Sequence, residues 1–129
     1  MATWNEVKGY LKSTYPVTKE EDYYVMFEFS TVEERAQLIM VSYVKSDVFG
    51  EWLQISSPIG AIPANRLDEA LSMMGTFPIG GIAKFDNMYF LRDSMKFSEY
   101  TSDRLISEMS LILHAADYME KIFLKVDKM

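Results

Sequence analysis

Apolar residues in this chain follow a helical period at its two ends and a strand period between them. Thr3-Trp4-Asn5-Glu6 has the spacing of a capping box, in which Thr3 accepts from the amide of Glu6 and the Glu6 carboxylate reaches back to the amide of Thr3. Trp4, Val7 and Leu11 then recur on one face until Pro16, which cannot continue a helix. The charged run Lys19-Glu20-Glu21-Asp22 reads as a loop. From Tyr23 to Phe29 the pattern alternates, with Val25, Phe27 and Phe29 on one side and Tyr24, Met26 and Glu28 on the other, which predicts a strand. Ser30 to Glu34 is a polar turn. Gln37 to Val44 is apolar on both alternations, the mark of a central strand. Glu51 to Ser57 reads as a third strand after a turn marked by Ser46-Asp47 and Gly50. The connections are too short for crossover helices, so these three strands form an antiparallel meander.

Asn65 is the expected N-cap of a short helix from Arg66 to Met74, stopped at Gly75. Ile82–Phe85 and Met88–Arg92 form a hairpin around Asp86-Asn87, residue types that tolerate positive φ. Thr101 or Ser102 caps a long helix running to about Val126. Its apolar seam steps by four and three through Leu105, Met109, Ile112, Ala116, Met119, Phe123 and Val126. Ile106, Leu111 and Leu113 widen that seam, and Asp103, Glu108, Asp117, Glu120 and Lys121 are expected to face water. The fold class is α+β: an antiparallel five-stranded sheet, element order α-β-β-β-α-β-β-α, with the N- and C-terminal helices on one face. The 129 residues read as one domain, residues 1–129.

Two glycine motifs echo one another, Pro58-Ile59-Gly60-Ala61-Ile62 and Pro78-Ile79-Gly80-Gly81-Ile82. A phosphate cradle needs glycine amides feeding a helix N-terminus, usually with Lys or a hydroxyl following. Pro63-Ala64-Asn65 follows the first motif and a strand follows the second. Both are read as strand punctuation, with Gly60 and Gly81 supplying backbone freedom.

Composition narrows the function classes. A formal charge of −6 and no cluster of Lys and Arg with aromatics argue against a nucleic-acid partner. The absence of cysteine removes disulfides, thiolate zinc sites and cysteine nucleophiles, and suits a reducing compartment. MATWNEVKGYL has no basic region followed by an apolar run, and no stretch approaches the roughly 20 apolar residues of a membrane helix, so no signal peptide and no membrane insertion are expected. The expected location is cytoplasmic.

Candidate chemistry is sparse. His114 is the single histidine and reads as a surface or boundary residue of the long helix, without partners for a nucleophilic triad. Asp117 and Glu120 lie near it at helical spacing, but Glu120 beside Lys121 and Lys125 reads as a solvated face rather than a metal site. In Glu33-Glu34 and Asp68-Glu69 the neighbouring side chains diverge, which suits no carboxylate dyad. No catalytic, cofactor-binding or metal residue is assigned, and the chain is not read as an enzyme.

A covering problem remains. Two helices side by side cover one face of a five-stranded sheet, yet the central strand is apolar on both, with Leu38, Met40 and Val44 opposed to Ile39, Val41 and Tyr43. A second copy of the chain or a bound polypeptide is the expected cover, against the alternative of loops and the middle helix folding over it. Ten methionines sharpen the point, since methionine adapts to varied partners. Met73, Met74, Met88 and Met95, around the middle helix and second hairpin, are the candidate partner-binding residues.

The element order, the hairpin Ile82–Arg92 and the closing-helix stretch Leu113-His114-Ala115-Ala116-Asp117-Tyr118-Met119-Glu120 resemble the type III secretion chaperone fold, and in particular the YbjN family of bacterial proteins. The resemblance spans nearly the whole chain and rests on element order and pattern. It implies a homodimeric, non-enzymatic binding protein, chaperone-like or regulatory, that takes up a polypeptide segment along apolar surface, and it supplies no catalytic residues. The competing expectation is a small-molecule-binding or enzymatic α+β domain with a pocket between sheet and helices.

Overall fold

The structure, a computed structural model, describes residues 2–30, 36–78 and 80–124. Its elements are α1 (Trp4–Thr14), β1 (Val17–Glu21), β2 (Tyr24–Ser30), β3 (Ala36–Ser46), β4 (Gly50–Gly60), α2 (Leu67–Met74), β5 (Gly81–Phe85), β6 (Met88–Lys96) and α3 (Ser102–Leu124), with 3₁₀ turns at Ala64–Arg66 and Phe97–Glu99. The sheet is antiparallel and has six strands, in the order β1-β2-β3-β4-β6-β5. The class is α+β, but the element order is α-β-β-β-β-α-β-β-α rather than the expected five-strand order.

The extra strand is the segment read as a loop. Val17–Glu21 is exposed throughout and pairs with β2, with a register shift between Val17 and Lys19. An edge strand solvated on both faces needs no apolar alternation, so its sequence carries no strand period. Side chains fix it instead: Glu20 lies 3.4 Å from Lys8 and 3.0 Å from Lys12 of α1, and Trp4 Nε1 donates to Asp22 O at 2.8 Å.

The capping box of α1 forms, with Glu6 N donating to Thr3 Oγ1 at 3.2 Å and Thr3 N donating to Glu6 Oε1 at 3.1 Å. Val7 and Leu11 enter the core, Trp4 stacks on Tyr43, and Tyr15 sets its ring edge-on to Phe27 and Phe29. The inward rows of the sheet come from registers such as Val25↔Val41↔Ile55 and Phe27↔Ile39, continued by Leu53↔Met95 and Ser57↔Leu91. Onto them α3 lays Leu105, Met109, Ile112, Ala116, Met119 and Phe123, all buried; Val126, the last position of the expected seam, lies outside the described residues. Thr101 is the cap, its Oγ1 accepting from Arg104 N at 3.1 Å.

Four expectations about the helices need correction. Asn65 caps nothing: it sits in the 3₁₀ turn after Pro63, and α2 begins at Leu67 with no side-chain cap. What holds α2 is Arg66, paired with Glu69 at 3.0 and 3.1 Å, donating to Ile122 O at 3.1 Å and lying over the Phe123 ring. On α3, Leu111 is 47 % exposed instead of widening the seam, whereas Asp117, expected in water, is buried. Glu108 is half-buried at the α3–β6 contact.

The glycine motifs are strand ends. Gly60 closes β4 at φ 90, Gly80 precedes β5 at φ 88, and Gly81 is the first residue of β5. The hairpin turn places Asp86 at φ 54, as its residue type allows. Ile79 and most of the expected 30–34 turn lie outside the described residues.

Candidate functional site

Helices pack on the face that carries Val25, Ile39, Ile55 and Leu91. Strand alternation therefore sends Met26 of β2, Leu38, Met40 and Val44 of β3, Trp52, Ser56 and Pro58 of β4, and Met88 and Phe90 of β6 to the other face. Among the described residues no element covers it. Most of these side chains are half-buried by one another, and Met88 is 40 % and neighbouring Phe85 57 % exposed.

This face has relief. Leu38 and Met40 form a ridge along β3, and Met88 and Phe90 a second one on β6, where the Phe85 ring stands edge-on to Phe90 at 5.8 Å. Between them β4 contributes only Ser56 and Pro58. The result is an apolar groove of about 230 Å³ lined by Met26, Leu38, Met40, Ser56, Pro58, Met88 and Phe90. Its floor is low because Ser56 pairs with Met40 on one side and Arg92 on the other, and those long side chains leave the serine 6 % exposed. The charges on this face are Lys19, Glu21 and Glu28 on β1 and β2, and Arg92 and Lys96 on β6.

The candidate methionines separate. Met88 lies on the open face; Met73 and Met74 are half-buried on α2 against the core; Met95, 3 % exposed and opposite Leu53, is core. Sequence reasoning omitted Met26 and Met40 from the site, although it set Met26 on the alternation opposed to Val25 and Phe27, and Met40 on the one opposed to Ile39 and Val41. Their meeting depends on the β2–β3 register, Met26↔Met40.

Elsewhere the chemistry is thin. His114 is exposed beside Leu111, Phe77 and Pro78, where a shallow apolar groove of about 330 Å³ runs along α3. No group of three or more His, Asp or Glu side chains suited to a metal occurs among the described residues. The strongest electrostatic perturbation is on Glu108. Hydrogen bonding to Asp93 of β6, then burial and the Asp93 charge, raise its pKa to about 7 against the pull of Arg104. As two ionised carboxylates the pair has no donor, and Glu108 Oε2 is buried without a partner. A proton on Glu108 supplies the donor. Neither carboxyl lines the grooves described above.

The chain matches no protein-family model, no curated protein and no solved structure at a significant level. No helix among the described residues is long and apolar enough to cross a membrane.

Proposed function

We propose that this chain is a non-enzymatic, homodimeric protein-binding module, chaperone-like or regulatory, that takes a polypeptide segment on its open sheet face. The observation that carries the reading is an uncovered apolar face with a groove rimmed by Met26, Met40 and Met88. Flexible thioethers refit to varied side chains, and an open groove along strands suits an extended segment better than an enclosed ligand. The resemblance to the YbjN family and the secretion-chaperone fold points the same way, with β1 as an addition to the element order. A cysteine-free composition agrees with a cytoplasmic setting. The competing reading, a small-molecule or enzymatic domain, would draw support from a perturbed carboxyl in a pocket, and Glu108 lines neither groove.

The test is a native pulldown with mass-spectrometric identification, run in parallel on wild type and Met40→Lys. A polypeptide captured by wild type and lost with Met40→Lys supports the proposal. Capture that is indifferent to Met40→Lys, or a small molecule as the retained species, would count against it.

A further inference from the structure

We propose that the partner on the open face, before any client arrives, is a second copy of this chain stacked sheet against sheet. The proposal rests on the reading of that face as a protein-binding surface and specifies its occupant and its regulation.

In strand order the four middle strands are β2, β3, β4 and β6, so the midline of the face runs between β3 and β4. A twofold axis lying along that midline, parallel to the strands and between the two sheets, places β3 of one copy over β4 of the other and β2 over β6. The ridge and the groove floor then meet reciprocally. At one level Met40 faces Ser56 of the second copy, since the two residues pair across β3–β4 within a chain. Leu38, one alternation above, falls toward Pro58, and below it Ser42 faces Gln54 and then Val44 faces Trp52. At the Met40 and Leu38 levels a long side chain falls on a shorter one in both directions, which is the self-complementarity an isologous contact requires. Aligned sheet packing at about −30° and about 10 Å accommodates such interdigitation.

Charge follows the same operator. Met26 of β2 is at the level of Arg92 through Met26↔Met40↔Ser56↔Arg92, and Glu28 is one alternation further along β2. Because the operator sets β2 over β6, Arg92 of each copy lies over Met26 of the other. Glu28 is two residues (about 6.8 Å) along the same strand and within reach of the long guanidinium side chain, giving two symmetry-related acid–base pairs on the flanks of the contact. Within one chain these residues are three strand spacings apart, about 14 Å, too far to pair. The area is sufficient: four strands at about 4.8 Å by about eight residues at about 3.4 Å give roughly 500 Å² on each copy, near the roughly 1,000 Å² total of a specific interface.

A face occupied by a copy cannot hold a client. The dimer is therefore the closed form and the monomer the binding form, and a client must outcompete the second chain.

The experiment is sedimentation equilibrium on wild type, Glu28→Lys, Arg92→Glu and the double variant, with urea midpoints as a folding control. Wild type should form a dimer of about twice 14.9 kDa. Each single reversal sets like charges face to face and should weaken the dimer about tenfold or more, while the double variant, which restores opposite charges, should recover most of that loss. Anilinonaphthalene sulfonate fluorescence per chain should rise on dilution through the dissociation range as the apolar face is uncovered. Single reversals that leave the dimer intact, a double variant that recovers nothing, or unchanged dye binding on dissociation would each overturn the stacking while leaving a protein-binding role on another surface. A wild-type monomer at high micromolar concentration would overturn both the stacking and the homodimer.

Discussion

Removing one buried hydroxyl, in Ser57→Ala, tests how the centre of the sheet is held together. β4 is an interior strand that contains a proline, and Pro58 has no N–H to give to a neighbour. The β3–β4 register runs from Ser46↔Gly50 to Met40↔Ser56 and stops there, just before Pro58. Beyond it, side chains replace the ladder. Gln37 Nε2 donates to Ser57 Oγ at 2.7 Å and to Pro58 O at 2.7 Å, and the Ser57 hydroxyl donates to Leu38 O. Gln37 is 1 % and Ser57 0 % exposed, so water cannot easily substitute.

Deleting the hydroxyl takes the donor from Leu38 O and an acceptor from the Gln37 amide. Leaving a buried polar group unsatisfied costs about 1–3 kcal/mol, and relief from burying the hydroxyl itself offsets part of the two losses, so Ser57→Ala should destabilise by about 2 kcal/mol. With a urea slope of roughly 2 kcal/mol per molar for a small domain, the midpoint should fall by about 1 M with the slope unchanged. Gln37→Leu supplies the second leg of a double-mutant cycle. It also removes Gln37 Oε1, which is buried without a partner, so its cost should be smaller and the pair should couple by about 1 kcal/mol. A Ser57→Ala cost within about 0.5 kcal/mol, or strict additivity of the two substitutions, would refute the view that this network substitutes for the missing ladder.

The twin glycine motifs predict an asymmetry. Gly80→Ala, at φ +88 with Leu91 Cδ1 and Ile112 Cδ1 at 3.4 and 3.5 Å from the added carbon, should cost about 1–2 kcal/mol, whereas Gly81→Ala, in open space, should stay within about 0.5 kcal/mol; the reverse ranking in urea unfolding would contradict the assignment. The Asp93–Glu108 pair predicts a pH dependence: because the folded-state pKa of Glu108 is raised from 4.5 to about 7, its contribution is complete below the unfolded value and is lost as pH climbs through about 7. Glu108→Gln keeps a donor for Asp93 at every pH and should flatten the fall in stability between pH 5 and pH 8, and a Glu108 carboxyl that titrates near 4.5 by NMR would sink the argument.

What was legible in the sequence was whatever is decided within a few residues. The Thr3–Glu6 box, the stop at Pro16, the steps of four and three along α3 and the Asp86-Asn87 turn are local signals, and each formed. β1 was invisible because its pairing is backbone chemistry at an edge, held by Glu20 and Trp4 from a distance that no window covers. The start of α2 was misread because the long-range contact of Arg66 with Ile122 and Phe123, not a cap at Asn65, decides where the helix begins. The site was half legible. Two apolar alternations on β3 announced an exposed face, but its membership rested on parity and register. Met88 and Met95 are an odd number of residues apart on one strand and so point to opposite faces, which spacing alone could have told.

The chain contains its own control for the meaning of that face. β1 is a strand that meets water on both sides, and it is written Thr18-Lys19-Glu20-Glu21 after Val17. Antiparallel sheets that solvate one face usually carry such residues on alternate positions. β3 and β4 lie in the same sheet, and their alternate positions carry Leu38, Met40, Val44, Trp52 and Pro58, with Ser42, Gln54 and Ser56 among them. Strand propensity does not require the difference, since threonine and tyrosine would form these strands equally well. Packing within the described fold does not require it either, because the helices all engage the opposite face. An uncovered apolar face also carries a continuing liability to aggregation. The proposed stacking would account for these apolar positions of β3 and β4, since the Leu38–Met40 ridge lies one strand away from the Ser56–Pro58 floor of the groove.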